Sequence, residues 1–337
     1  MPPPRPARFD VDRAVAWLCS EAIVDANGGV HSWHNRAHPG YVYPEAGGLV
    51  LSLLCSDAIA AHERSARAPL ADRIASNLLL RAEDDDIGRD GVGYLFDEGI
   101  VLAALLRHAR QRGAPSSARL LPLYERFTRR LGAREVVDTA APPRWSSRSG
   151  PHLLKLAITI GAWSDVTPRD RSAMAALLTE VDARFDAGRL VTDLDNGCTY
   201  VHAHCYGIEG ALRLTNEDLT PTKSCRRAHK IARGGAAWLA AIQRASGGIP
   251  AWHDGSKGWG IEPADATAQA IRIWALVDRA RYADPIERAL GFVACLTTPS
   301  GAVRYHGESD DENTWATVFA IQAAALAENG GQPAWLI

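Results

Sequence analysis

The sequence predicts an all-α fold, an (α/α)6 toroid of about six helical hairpins with loops or short β-hairpins at its mouth. Three observations predict it. Six times along the chain, at intervals of roughly fifty residues, a Gly-rich or aromatic-rich loop runs into an Ala/Leu-dense stretch. An acid or a histidine sits at or near each start, at Glu45, Asp97, His152, His204, Asp265 and Asp311. A period of this size marks a repeat architecture, whose units bury their apolar faces against each other. Secondly, the stretches after these anchors are poor in charge, and a helix apolar nearly all round is buried on both sides. Thirdly, the stretches between them carry Arg, Glu and Asp on one face, as a half-exposed helix does. An inner ring wrapped by an outer ring satisfies both patterns; a helical solenoid that does not close is the alternative.

The inner helices are read at 47–54, 99–106, 153–160, after Val201, at 266–276 and at 316–325. The outer set opens with helices at 11–24, 70–80 and 118–131. Thr167, Pro168 and Asp170 form a capping start before Met174, Leu177 and Leu178. Thr220 and Pro221 open the next, running toward Trp238, and Asp284, Pro285 and Glu287 start the last, with Ile286, Leu290 and Val293 at helical spacing. Residues 30–33 and 303–306 read as small hairpins at the mouth. All 337 residues are read as one domain.

Composition excludes several classes. The chain is 47% hydrophobic and 23% charged, with a net charge of −2, so it lacks the basic footprint of a nucleic-acid binder. No apolar run reaches the roughly 18 residues that span a bilayer. Met1 to Pro6 lacks the apolar core of a secretory leader. Cys19, Cys55, Cys198, Cys205, Cys225 and Cys295 are spread out without a CxxC pair. A cytoplasmic protein with free thiols is expected. No Walker loop, strand-linked GxGxxG, HExxH or GxSxG is present. Asp84, Asp85 and Asp86 read as a solvated loop.

In a closed ring the inner helix starts face one funnel. A carboxylate there is favoured by about 0.3–1 kcal/mol, so each acid is either a helix cap or a group in a shared cavity. Asp97 and Asp265 are the first candidates for acid and base, His202 and His204 the second. Glu45 and Asp311 would position hydroxyls, and Trp33, Trp252 and Trp259 would stack on sugar rings or pack their loops. His34, Tyr43, Glu98, His152, Tyr206, His253, His306 and Trp315 complete the substrate-contact set. No cofactor is expected. The alternative is zinc held by Cys205, His204 and His306.

Several stretches resemble the α/α-toroid (six-hairpin glycosidase and prenyltransferase-like) superfamily, across nearly the whole chain. They are residues 43–49 from Tyr43 through Glu45, 96–100 around Asp97, 201–212 around His202, His204 and Tyr206, and 265–271 from Asp265. They are similar to repeat motifs of bacterial polysaccharide-biosynthesis proteins of toroid fold. The architecture also resembles uronyl hydrolases, sugar 2-epimerases and glucuronyl C5-epimerases. The resemblance implies a small-molecule or oligosaccharide substrate in the funnel, handled by acids, histidines or tyrosines in a hydrolase, lyase or epimerase reaction. Cys205, Tyr206, Gly207, Gly210 and Leu214 are in turn similar to a zinc-ligand motif of lanthionine synthetase cyclases. That family adds a Cys-His-Gly motif, and Tyr305-His306-Gly307 here lacks its cysteine. Terpene cyclases share the toroid as well, and the 265–268 stretch is similar to their protonating motif without the fuller acidic signature. A peptide or polyprenyl cyclase is therefore one alternative, and a non-catalytic glycan-binding toroid the other.

Overall fold

The computed structural model describes residues 9–38, 40–113, 117–137 and 145–337. The reading of residues 1–6 lies outside them. The chain alternates outer and inner helices. Outer α1 (Val11–Leu18) precedes inner α2 (Pro44–Leu54). Outer α3 (Ala61–Ala66) and α4 (Ala68–Glu83) precede inner α5 (Leu95–Gln111). Outer α6 (Ser117–Ala133) precedes a 3₁₀ segment (Pro151–Leu156) that runs into inner α7 (Ala157–Ala162). The last three pairs are α8 (Pro168–Asp182) with α9 (Val201–Arg213), α10 (Thr222–Ile242) with α11 (Ala264–Asp278), and α12 (Ala283–Cys295) with α13 (Thr314–Asn329). Each inner element packs on the next, and α13 packs on α2, so the ring closes.

Burial follows the charge pattern. Every residue of α2 and α9 is buried. Outer α4 buries only Ala71, Ile74, Ala75, Leu78 and Ala82, one helical stripe. The expected start at Thr167 is a full capping box with Asp170. The helix expected over 11–24 ends at Leu18 instead. Ser20 Oγ donates to Trp17 O at 2.7 Å, and Asp25 Oδ1 accepts from the Asn27 and Gly29 amides at 2.8 Å, so local side-chain bonds win over the helix. The third inner element starts as a 3₁₀ turn rather than an α-helix, and α12 starts ahead of Asp284 with Tyr282 at its cap.

The inner ring admits close backbone contact. A Cβ on Gly210 would lie 2.1 Å from Leu154 C and O. Gly210→Ala is expected to cost more than the roughly 1–3 kcal/mol of ordinary overpacking, read as a fall in the urea midpoint at unchanged slope.

Among the described residues, nine two-residue strands all lie in the loops that lead from an outer helix to the next inner one. They are β1 (Trp33–His34), β2 (Gly88–Arg89), β3 (Val92–Gly93), β4 (Phe185–Asp186), β5 (Arg189–Leu190), β6 (Thr199–Tyr200), β7 (Trp252–His253), β8 (Gly258–Trp259) and β9 (Glu312–Asn313). β1 pairs with β9, joining the first of these loops to the last. Val303 and Arg304 make single bridges to Thr297 and Glu312 rather than a hairpin. Among the described residues no helix is long and apolar enough to cross a membrane.

A fully buried charge network ties the inner ring together. Lys155 Nζ donates to Glu209 Oε2 and to Ile337 O, each at 2.6 Å. Arg272 bonds Glu209 and reaches Gln322 Oε1 at 3.0 Å. Burial drives the Lys155 pKa down to about 7 despite Glu209. Burial also opposes the Glu209 charge, but Arg272 and Lys155 outweigh it and hold its carboxyl below the usual range.

Candidate active site

A cavity of about 430 Å³ opens at the mouth, in the range of small-ligand sites. Its wall is built from inner helix starts. Glu45 lies in the first turn of α2, Asp97 in that of α5, His202 in that of α9 and Asp265 in that of α11. Tyr206 and Trp315 complete these faces. None of the four acts as an N-cap side chain: those positions are Tyr43, Tyr94, Tyr200 and Pro263, which make no side-chain cap bond. α13 is capped by Asn313, whose Oδ1 accepts from Ala316 N at 2.9 Å, and Asp311 lies in the loop before it.

Two buried carboxyls share this wall. Tyr43 OH donates to Asp97 Oδ2 at 2.6 Å. Trp315 hydrogen-bonds Glu45, and Tyr206 OH makes a long 3.4 Å contact with its Oε1. Burial pushes the Asp97 carboxyl up to about 7, against the Tyr43 hydrogen bond. Burial, then the Asp97 charge, pushes Glu45 up to about 8. Two neighbouring acids raised in this way titrate as a pair rather than singly.

A second pair sits across the wall. His202 Nδ1 is 3.4 Å from Asp265 Oδ2, within ion-pair reach but not aligned as a hydrogen bond. Asp265 Oδ1 takes the Ala266 amide at 2.6 Å. Burial lowers the His202 pKa against the Asp265 charge and leaves a neutral imidazole. The rest is aromatic: Phe96 lies 4.8 Å from Tyr206, and Trp145 5.4 Å from Tyr200. Arg89 covers the Tyr41 ring at 4.7 Å.

Of the residues read from sequence, Trp33, Tyr43, Glu45, Asp97, His202, Tyr206, Asp265, Asp311 and Trp315 line this cavity. The others do not. Glu98 turns to the outer ring, bonded by Arg126 at 2.7 Å and Arg130 at 2.8 Å. His204 points behind the wall: its Nδ1 accepts from Leu190 N at 3.1 Å, and its ring packs 4.6 Å from Trp238. Its placement removes it from the acid/base candidates. His253 Nδ1 accepts from Gly255 N at 2.9 Å, and its ring packs on Trp238. His152 is one layer back, against Trp145 and Phe96, and burial drives its pKa down to about 3. His34 is held in β1 outside the lining, and Trp252 and Trp259 lie on the neighbouring sheet.

The zinc set is not brought together. Successive helix positions point in different directions, so Cys205 Sγ turns to Ala266 O while His204 turns to Leu190. His306 is in the sixth loop, its Nδ1 accepting from Glu308 N at 3.3 Å. Among the described residues no group of three His, Cys, Asp or Glu is placed to hold a metal.

Another cavity, of about 310 Å³, opens at the opposite end of the ring beside Cys55, Arg107 and Gln322. Its one carboxylate, Asp57, is paired with Arg64 at 2.9 Å. Coupled acids occur at the mouth.

No protein-family model matches the chain, and no curated protein matches it by sequence. Solved structures do match by shape. A possible GH105 family member from Salmonella enterica superposes with a TM-score of 0.66 at 12% identity, over 97% of this chain and 95% of its own. An unsaturated glucuronyl hydrolase specific for heparin gives 0.64 at 13%, over 94% and 95%. A GH76A α-1,6-mannanase from a Salegentibacter species gives 0.63 at 11%, over 96% and 100%. The chain has the (α/α)6 toroid fold of these structures.

Sequence reading missed Tyr41, Arg89, Tyr94, Phe96, Ser146, Tyr200 and Asn313 as lining residues. One signal was available for two of them. A tyrosine caps α2, α5 and α9 just ahead of each anchor, at Tyr43, Tyr94 and Tyr200.

Proposed function

We propose that this protein is a carbohydrate-active enzyme of the hydrolase type, acting on an oligosaccharide in the mouth cavity. The observation that carries the reading is the buried Asp97–Glu45 pair inside an aromatic-walled cavity. Sugar hydrolysis needs one protonated and one ionised carboxyl at the same bond. The protonated member gives its proton to the leaving oxygen as the C–O bond breaks. Water adds to the sugar carbon and gives its proton to the ionised member. The pair ends with the one proton it began with. Tyr43 holds Asp97 in place, neutral His202 and Asp265 take sugar hydroxyls, and Trp145, Trp315 and Tyr200 supply flat faces. The solved structures of like fold include glycoside hydrolases, which supports the same class. The six free cysteines support a reducing, cytoplasmic setting.

The test is release of reducing sugar from defined uronate-, glucose- and mannose-containing oligosaccharides. Turnover by the wild type is expected, lost in Asp97→Asn. No turnover of any of them would sink the reading. The pH profile of kcat/KM is expected to be a bell with its summit between about 7 and 8. Below it both acids are protonated and no base remains; above it the last proton is gone. A rate flat through that window would speak against the pair.

A further inference from the structure

The sheet beside the cavity carries a row of aromatic rings. β6, β7 and β8 form one three-stranded sheet. Its register places Tyr200 opposite Trp252, and Trp252 opposite Trp259. Directly opposed residues share a face. Tyr200 also lines the mouth cavity, with Trp145 beside it. From there the row runs outward: Tyr200 to Trp252 is 4.9 Å between centroids, and Trp252 to Trp259 is 6.3 Å with the planes 17° apart. It ends in solvent, where Trp259 and Ile261 are each 38% exposed.

Packing explains the inner members of this row but not the outer one. Tyr200 and Trp252 are half-buried against each other, and Tyr200 also against Trp145. Trp259 contacts only Trp252 among the aromatics, and among the described residues its indole N–H has no hydrogen-bond partner. Glycines flank it on both sides, Gly258 and Gly260, so its neighbours in sequence bring no side chain against its ring. The hairpin that presents it is stiff: Asp254 Oδ1 accepts from Ser256 N, Ser256 Oγ and Lys257 N at 2.7–2.9 Å. A rigid apolar ring with a free donor, held open beside a cavity, is what a sugar face needs.

We propose that the β6–β7–β8 sheet is a second glycan-binding site, an outer platform on which Trp259 and Trp252 carry the sugar units beyond the one held in the cavity. It rests on the hydrolase reading for the direction of the chain, and it makes the substrate an extended oligosaccharide rather than a disaccharide.

The experiment compares wild type, Trp259→Ala and Trp259→Phe on the same oligosaccharide series, from two to six units. In the wild type KM is expected to fall with chain length. Trp259→Ala should raise KM for the longest chains by about tenfold while leaving kcat on the shortest unchanged. Trp259→Phe, which keeps a flat ring, should restore the length dependence. Turnover with the same length dependence in Trp259→Ala overturns the platform and leaves the reaction standing. If no chain is turned over, the hydrolase reading fails, and the platform is decided by calorimetric binding of the six-unit chains. Binding lost in Trp259→Ala upholds it, and no binding to the wild type overturns it.

Discussion

Asp97→Asn is expected to abolish glycan turnover and, in the same protein, to raise stability above pH 7. General acid–base groups contribute about 10²–10⁴ in rate, and asparagine can neither give nor hold the proton of the pair. It keeps an oxygen to accept from Tyr43, so the wall should stay intact. The stability gain follows from the sign of the shift. The Asp97 carboxyl is raised from 3.8 to about 7 by burial. A raised pKa contributes stability that is complete below the unfolded value and is lost as pH rises through the folded one. Wild type should therefore lose stability between about pH 4 and pH 8, where Asp97 and Glu45 are forced to ionise in a buried wall. At about 1.4 kcal/mol per pKa unit the loss is on the order of a few kcal/mol for each acid. Melting temperatures of both proteins from pH 5 to 9 check it. The variant's curve should be the flatter, crossing above wild type on the alkaline side. Equal slopes would mean that Asp97 ionises in the fold without cost.

Glu209→Gln carries the second large effect, on folding. The change leaves Lys155 and Arg272 buried with no carboxylate between them. Breaking a buried pair from one side costs about 3–5 kcal/mol. The deficit should shrink as pH rises. In the wild type Lys155 gives up its proton from about pH 7 upward, so the charge that Glu209 pairs there, and with it part of the difference between the two proteins, fades as pH rises. Urea unfolding at pH 7 and pH 9 reads both numbers. A variant within about 1 kcal/mol of wild type at pH 7 would mean that the network is not the tie between inner helices described above. The network also lies against the back of the site: Lys155 Nζ is 5.6 Å from the centroid of Tyr206, and the Arg272 guanidinium 4.1 Å from that of Phe319, whose ring packs 6.3 Å from Tyr206 behind the lining.

The ring was legible in the sequence because two patterns repeat together, charge-poor stretches and one-sided amphipathic ones. Glu45, Asp97 and Asp265 were legible as anchors because each begins such a stretch, and the closed ring gathers those starts in one wall; in the fourth stretch the anchor read was His204, and it is His202 that lines the cavity. Helical phase was not legible. Glu98 follows Asp97 directly, and His204 stands two residues after His202, yet both turn away from the cavity toward partners in the outer ring or the neighbouring loop. Nothing local marks which of two adjacent polar residues faces inward when the whole helix is buried. The β2–β3 hairpin placed Arg89, and a backbone bond from Ser32 N to Tyr41 O placed Tyr41, pairings that such short stretches do not announce. Glu209 and Arg272 left a faint mark as opposite charges inside otherwise apolar inner helices, but they are far apart in sequence and their partnership follows only from ring closure.

Asp97 and Glu45 are expected to share one proton near neutral pH. Carbon-13 NMR of the side-chain carboxyls, recorded across pH in wild type and Asp97→Asn, measures it directly. Two coupled titrations near 7 and 8 are predicted in the wild type. In the variant one of them should vanish and the Glu45 titration should move down, because the Asp97 charge that helped raise it is gone. Two independent titrations near the ordinary values of 3.8 and 4.5 in the wild type would contradict the account.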